Sequence, residues 1–75
     1  MKATEIVKDI MEKQGVGQTA LGKRIGVKND AIYQRLKQDN ISVDRLMQML
    51  AAMDYKLVII PASKPVRENE YEVEI

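Results

Sequence analysis

The stretch Gln18-Thr-Ala-Leu-Gly-Lys-Arg-Ile-Gly-Val-Lys-Asn-Asp-Ala-Ile-Tyr-Gln-Arg-Leu-Lys37 decides the architecture of the chain. Leu21 and Ile25 are four residues apart, as are Ile32 and Leu36, so each half carries one narrow apolar stripe of helical period. Gly26 and Val27 stand between the halves. The pattern predicts two short helices, over 18–25 and 28–37, joined by a tight turn. Two helices that cross steeply need a small residue where their axes approach. They also need a glycine where the chain leaves the first helix with positive φ. Gly22 and Gly26 fall at those two places.

The outward positions of the second helix are Lys28, Asn29, Asp30, Tyr33, Gln34 and Lys37. Almost all are hydrogen-bonding types that can read base edges or hold phosphates. The pair therefore reads as a helix-turn-helix with a surface suited to DNA.

Seventy-five residues make one domain, near the size at which a single core barely offsets chain entropy, and this favours association between copies. The chain has neither cysteine nor histidine. Disulfides, thiol chemistry, imidazole bases and almost every zinc site are excluded together, so no metal or cofactor is expected. Catalysis would rest on carboxylates and lysines, which the pattern puts on solvated helix faces or near the end of the chain. No enzyme is expected.

A formal net charge of +1 hides an asymmetry. Between residues 17 and 37, Lys23, Arg24, Lys28, Arg35 and Lys37 oppose only Asp30, leaving +4. Between residues 54 and 75, Lys56, Lys64 and Arg67 oppose Asp54, Glu68, Glu70, Glu72 and Glu74, leaving −2. A positive helix pair with an acidic end fits a duplex-facing surface and a surface turned away from it.

Ahead of the motif, Ile6, Val7, Ile10 and Met11 share one face of a helix over 3–14, with Thr4 as its expected N-cap and Gly15-Val-Gly17 as its terminator. Those glycines lack the preceding strand and the wider spacing of a phosphate-cradling loop. After the motif, Ser42 is expected to cap a helix from Val43 to about Met53. Its buried stripe would be Val43, Leu46, Leu50 and Met53, broadened by Met47 and Met49.

From Tyr55 the character changes. Tyr55-Lys-Leu-Val-Ile-Ile60, stopped by Pro61, is β-branched and apolar on both faces, and predicts a strand. Leu57 and Ile59 would cover the helices. Val58 and Ile60 would be exposed beside an unpaired edge, which pairing with a second subunit resolves. Ala62 to Asn69 reads as a loop, and the alternating Tyr71 to Ile75 as either a second strand or a frayed tail.

The fold class predicted is mainly α. A four-helix domain over 1–54 is followed by a β extension over 55–75, whose one or two strands form an intersubunit sheet with Leu57, Val58, Ile59 and Ile60 at the dimer interface. The longest apolar run is too short to span a bilayer and no leader pattern is present, so a cytoplasmic location and no membrane contact are expected.

Gln18, Thr19, Leu21, Gly22, Ile25, Gly26, Val27, Ile32, Gln34 and Arg35 together resemble the Cro and phage-repressor-like (XRE) helix-turn-helix family. The likeness is to small members from mobile elements that continue with a strand, and it covers roughly residues 4 to 60. It implies that Gln18, at the start of the first motif helix, contacts a phosphate. Thr19 and Lys23 are expected among the DNA-binding residues, Lys23 as a cation that displaces counterions. The resemblance also implies that Lys28, Asn29 and Asp30 reach base edges, with Tyr33 and Gln34 one turn further on. Asn29 and Gln34 suit adenine, and Lys28 suits guanine or phosphate. Asp30 can accept from cytosine or support the helix start.

The chain departs from the family in having Lys28 where a small hydroxyl residue is usual. It also has Arg35 where a second apolar residue is usual, a role that Leu36 takes here. Arg35, like Lys37, is then expected near the DNA backbone.

These residues predict a homodimeric transcriptional regulator, most simply a repressor, on a palindromic operator. The alternatives are an antitoxin-like DNA-binding protein whose acidic tail, Glu68 to Ile75, holds a toxin-like partner, and a module whose helix pair binds protein.

Overall fold

The apolar periodicities resolve into four helices: α1 (Ala3–Gln14), α2 (Gln18–Ile25), α3 (Asn29–Lys37) and α4 (Val43–Ala51). They are seen in a computed structural model that describes residues 1–74; Ile75 lies outside the described residues. All four apolar residues of the α1 stripe, Ile6, Val7, Ile10 and Met11, are buried. Thr4 is not the cap that the sequence pattern predicts. Lys2 holds that position, its amide donating to Glu5 Oε1 at 2.8 Å, and Thr4 is buried in the first turn. A glutamate at the third helical position satisfies the helix start without a hydroxyl.

At the other end of α1, Gly15 adopts φ +67° and the Val16 amide donates to the Met11 carbonyl at 2.9 Å. This closure turns Val16 into the core.

Between α2 and α3, the Gly26 and Val27 amides both donate to the Gly22 carbonyl, at 2.8 and 2.9 Å, with Gly26 at φ +88°. A Cβ added to Gly22 would lie 2.7 Å from the Val27 carbonyl oxygen and 3.4 Å from Ile32 Cγ1. The turn therefore packs against the backbone of α2 at the one residue with no side chain. Leu21 and Ile32 face each other's helices from fully buried positions, and α2 packs most closely on α3 while α1 supports α3 and α4.

Ser42 caps α4 as predicted, its Oγ accepting from the Arg45 amide at 3.3 Å. The buried stripe is Leu46, Met49, Leu50 and Met53, and it excludes two residues the pattern assigned to it. Val43 is 60% exposed and Met47 is also exposed. Ile41, just before the cap, is buried instead. It stands at the position where an apolar residue packs against the fourth helical residue, here Leu46, and so takes the place Val43 would have filled. Past Ala51 the chain reverses through Asp54 at φ +63°, with the Tyr55 amide donating to the Leu50 carbonyl at 2.9 Å.

The predicted C-terminal strands are absent: no strand occurs among the described residues. A strand needs a parallel or antiparallel neighbour for its ladder. Within one chain, residues 56–60 find no backbone partner among the described residues. Tyr55 and Leu57 pack on the helical core, but Ile59, expected to lie with them, is 98% exposed. Val58, Ile59 and Ile60 thus form one exposed apolar ribbon.

The tail that follows is neither strand nor frayed. The Tyr71 hydroxyl donates to Asp9 Oδ2 at 2.6 Å and accepts from Lys13 Nζ at 2.9 Å. Glu74 pairs with the Met1 ammonium at 2.9 Å, and its amide donates to the Met1 carbonyl. Among the described residues no helix is long and apolar enough to cross a membrane.

Candidate nucleic-acid interface

Burial of Ile32 and Leu36 fixes the rotation of α3, because residues four apart lie on one face. The opposite face then presents Asp30, Tyr33, Gln34 and Lys37, while Lys28 and Asn29 are exposed at the open N-terminal end of the helix. Lys28 is the N-cap and makes no side-chain cap bond, which leaves its ammonium and the first amides of α3 open. Asp30 sits in the first turn, where a carboxylate opposes the positive end of the helix. Lys37 Nζ lies 4.8 Å from the centre of the Tyr33 ring, one turn away, so these two side chains form a single projecting unit.

Alongside, α2 begins at Gln18 after Gly17, which has no side chain to satisfy the first amides. Gln18 is half-buried at that end, while Thr19 and Lys23 are exposed. The start of α2 and the outer face of α3 are therefore two donor-rich surfaces on helices whose spacing the Gly22 contact fixes. The salt bridges among the described residues all lie elsewhere, joining Met1 to Glu74, Lys2 to Asp39 and Lys13 to Asp9. Lys23, Lys28 and Lys37 are not neutralised by any of them.

Arg35 occupies a different position from its predicted companions. It is half-buried against α4, with Nη1 donating to Gln48 Oε1 at 2.7 Å. Burial, and secondarily the nearby Arg45 guanidinium, hold its pKa below the usual arginine value. Two guanidiniums without a bridging carboxylate can share an anion, and Arg45 is exposed at the first turn of α4. Arg45 carries no local signal in the sequence; only the tertiary approach of its helix to the Arg35 side chain brings the two guanidiniums near each other. Arg24 also turns away, its Nη1 donating to the Ala52 carbonyl at 3.1 Å.

The expected interface residues Leu57 to Ile60 lie away from this face and border an apolar groove of about 570 Å³ that reaches Ile6, Ile10 and Leu50. Among the described residues no three metal-ligating side chains come together. No protein-family model, curated protein or solved structure matches this chain.

Proposed function

We propose that this chain is a sequence-specific double-stranded DNA-binding protein of helix-turn-helix type, acting as a homodimer in transcriptional regulation, most simply as a repressor. The observation that carries the reading is the outer face of α3. Gln34 and Lys37 project from the face opposite Ile32 and Leu36, and Lys28 and Asn29 are exposed at the start of the same helix, so its N-terminal end and outer face together carry the polar groups. Amides at successive turns suit base edges, and cations flanking them suit the phosphates on either side. The grouping with Cro and phage-repressor-like proteins belongs to the same reading.

The homodimer follows from the ribbon. Val58, Ile59 and Ile60 expose apolar surface beside backbone groups without partners, and the same segment of a second copy supplies both cover and hydrogen bonds. The sheet that the single chain lacks forms, on this reading, between subunits. Two α3 helices related by a two-fold axis then read half-sites about 34 Å apart, so the operator is palindromic. A tail offered to a toxin-like partner is less favoured, because Tyr71 and Glu74 are already engaged within the chain.

Selection from a random duplex pool should enrich a palindrome, and anisotropy titration on it should show binding that weakens about a thousandfold between ~50 and ~200 mM salt. Recovery of no enriched duplex, or binding indifferent to salt, refutes the proposal.

A further inference from the structure

The groove beside the ribbon has two walls formed by C-terminal segments on a floor of helical core residues. The floor is Ile6, Ile10 and Leu50, part of the helical core. One wall is the ribbon from Leu57 to Ile60; the other is the tail, chiefly Tyr71 and Val73. The tail is fastened almost entirely by polar contacts at the surface. Tyr71 donates to Asp9 and accepts from Lys13, whose ammonium also lies 5.1 Å from the centre of its ring. Further along, Glu74 grips the Met1 ammonium, and one backbone bond joins Glu74 to Met1. Its aliphatic residues add little to the hold, since Val66 and Val73 are both exposed, and the half-buried Tyr71 ring is the one apolar group of the tail packed on the core among the described residues.

From this arrangement we infer that residues 66–74 are an autoinhibitory strap that competes with a second copy of the chain for the groove. The inference rests on the homodimer reading above. A second copy is the occupant that fits, because the ribbon needs both apolar cover and backbone hydrogen-bonding groups, and an identical ribbon brings both. While the strap is fastened, its wall stands in the space that the incoming ribbon must enter. When Tyr71 lets go of Asp9 and Lys13, that wall moves off and the groove opens onto the ribbon. The fraction of chains with the strap released therefore sets the apparent dimer affinity, and through it the occupancy of a two-fold operator.

The strap's own chemistry makes it displaceable. Surface ion pairs and exposed hydrogen bonds are individually weak and exchange readily with water. Tyr55 and Leu57 stay on the core when the tail leaves, so release does not require unfolding. The tilted contact between the Tyr55 and Tyr71 rings, with centres 6.4 Å apart, is the only aromatic pair that parts among the described residues.

Sedimentation velocity over a concentration series, with the full chain and its variants, tests the inference. Tyr71→Phe removes the hydroxyl and keeps the ring; Asp9→Asn weakens the same link from the other side. Both should retain the native melting profile by circular dichroism and shift the monomer–dimer midpoint to lower concentration, by about fivefold. Adding Ile59→Lys to Tyr71→Phe should abolish the gain. A wild type that dimerises with a midpoint that neither variant lowers overturns the strap while leaving the dimer intact. Wild type and variants that all stay monomeric at every concentration overturn both.

Discussion

Gly22→Ala is the most searching test of the fold, because two opposing effects act at one atom. Alanine in a helix interior gains about 0.8 to 1 kcal/mol over glycine from backbone propensity alone. Against that, the new methyl would stand 2.7 Å from the Val27 carbonyl oxygen, closer than real contacts of this kind come. The atom in the way belongs to the backbone of the turn, and the same carbonyl precedes the cap of α3, so relief requires moving α3 off α2 by several tenths of an ångström. Overpacking costs about 1 to 3 kcal/mol in general, and a backbone atom in the way puts this case in the upper half of that range, about 2 to 3 kcal/mol. The net expectation is a loss of about 1 to 2 kcal/mol, in a domain whose whole stability is on the order of 4 to 10 kcal/mol. Thermal unfolding followed by circular dichroism should show a Tm lower by roughly 5 to 15 °C. Gly17→Ala serves as the control, since nothing lies within 4 Å of a Cβ there and φ is negative, and it should lose only the N-cap preference for glycine over alanine, less than about 1 kcal/mol and with no steric part. A Gly22→Ala protein as stable as wild type, or more so, would mean that α2 and α3 do not meet at this residue.

Three further outcomes follow from the same coordinates. Leu21→Ala empties a fully buried site and should cost about 2 to 5 kcal/mol, enough to leave the chain largely unfolded in a urea titration. Asn29→Ala and Gln34→Ala should each keep the wild-type Tm while weakening binding to the selected operator by about 1 to 3 kcal/mol; normal binding by both would displace base reading from these positions. Attachment of the tail should fail at both extremes of pH. Hydrogen bonds from Tyr71 to Asp9, and from the Met1 ammonium to Glu74, hold both carboxyl pKa values below their usual range. That contribution is present above the unfolded carboxylate pKa and is lost as pH falls below about 4. The hydrogen bond with Asp9 raises the Tyr71 pKa, and the one with Tyr71 raises that of Lys13, so their contribution is present below about pH 10 and lost above it. Ring resonances of Tyr71 should report both transitions, and a shift that is flat across pH 3 to 5 counts against the Asp9 link.

The sequence made the helical body legible because its signals are local. Stripes at spacing four, the two glycines of the turn and the Ser42 cap each act within a few residues, and α1, α2 and α3 fall within a residue of their predicted bounds. What escaped depends on distance along the chain. Periodicity identifies the inward face of α4 but not which turn has something to pack against, so Val43 was assigned to a core that Ile41 fills. The family resemblance places Arg35 near the DNA backbone; that its side chain also bonds Gln48, 13 residues away on another helix, carries no local signal. Nothing local in the tail separates strand from fray, because what positions it is the contact of Tyr71 with Asp9, 62 residues away. The ribbon's pattern was read as a strand although its ladder requires a neighbour that the isolated chain does not contain.

These long-range contacts divide the molecule by the kind of force that holds it. The helical body rests on aliphatic burial, with Val7, Leu21, Ile32 and Met49 wholly excluded from water, and such packing opens only with the fold as a whole. Among the described residues after Met53 no aliphatic side chain is fully buried, and the segment is held by half-buried Tyr55, Leu57 and Tyr71 together with exposed polar pairs, so its local stability should be lower than that of the helices. On the strap proposal, association through the ribbon is tuned by the tail without disturbing the geometry of α3. Hydrogen exchange makes the division measurable: amides of Ile32 and Leu36 should exchange only through global unfolding, while those of Lys56 to Ile60 should exchange rapidly in dilute monomer and slow as concentration rises. Equal protection of both groups at low concentration would show that the ribbon is already paired within one chain.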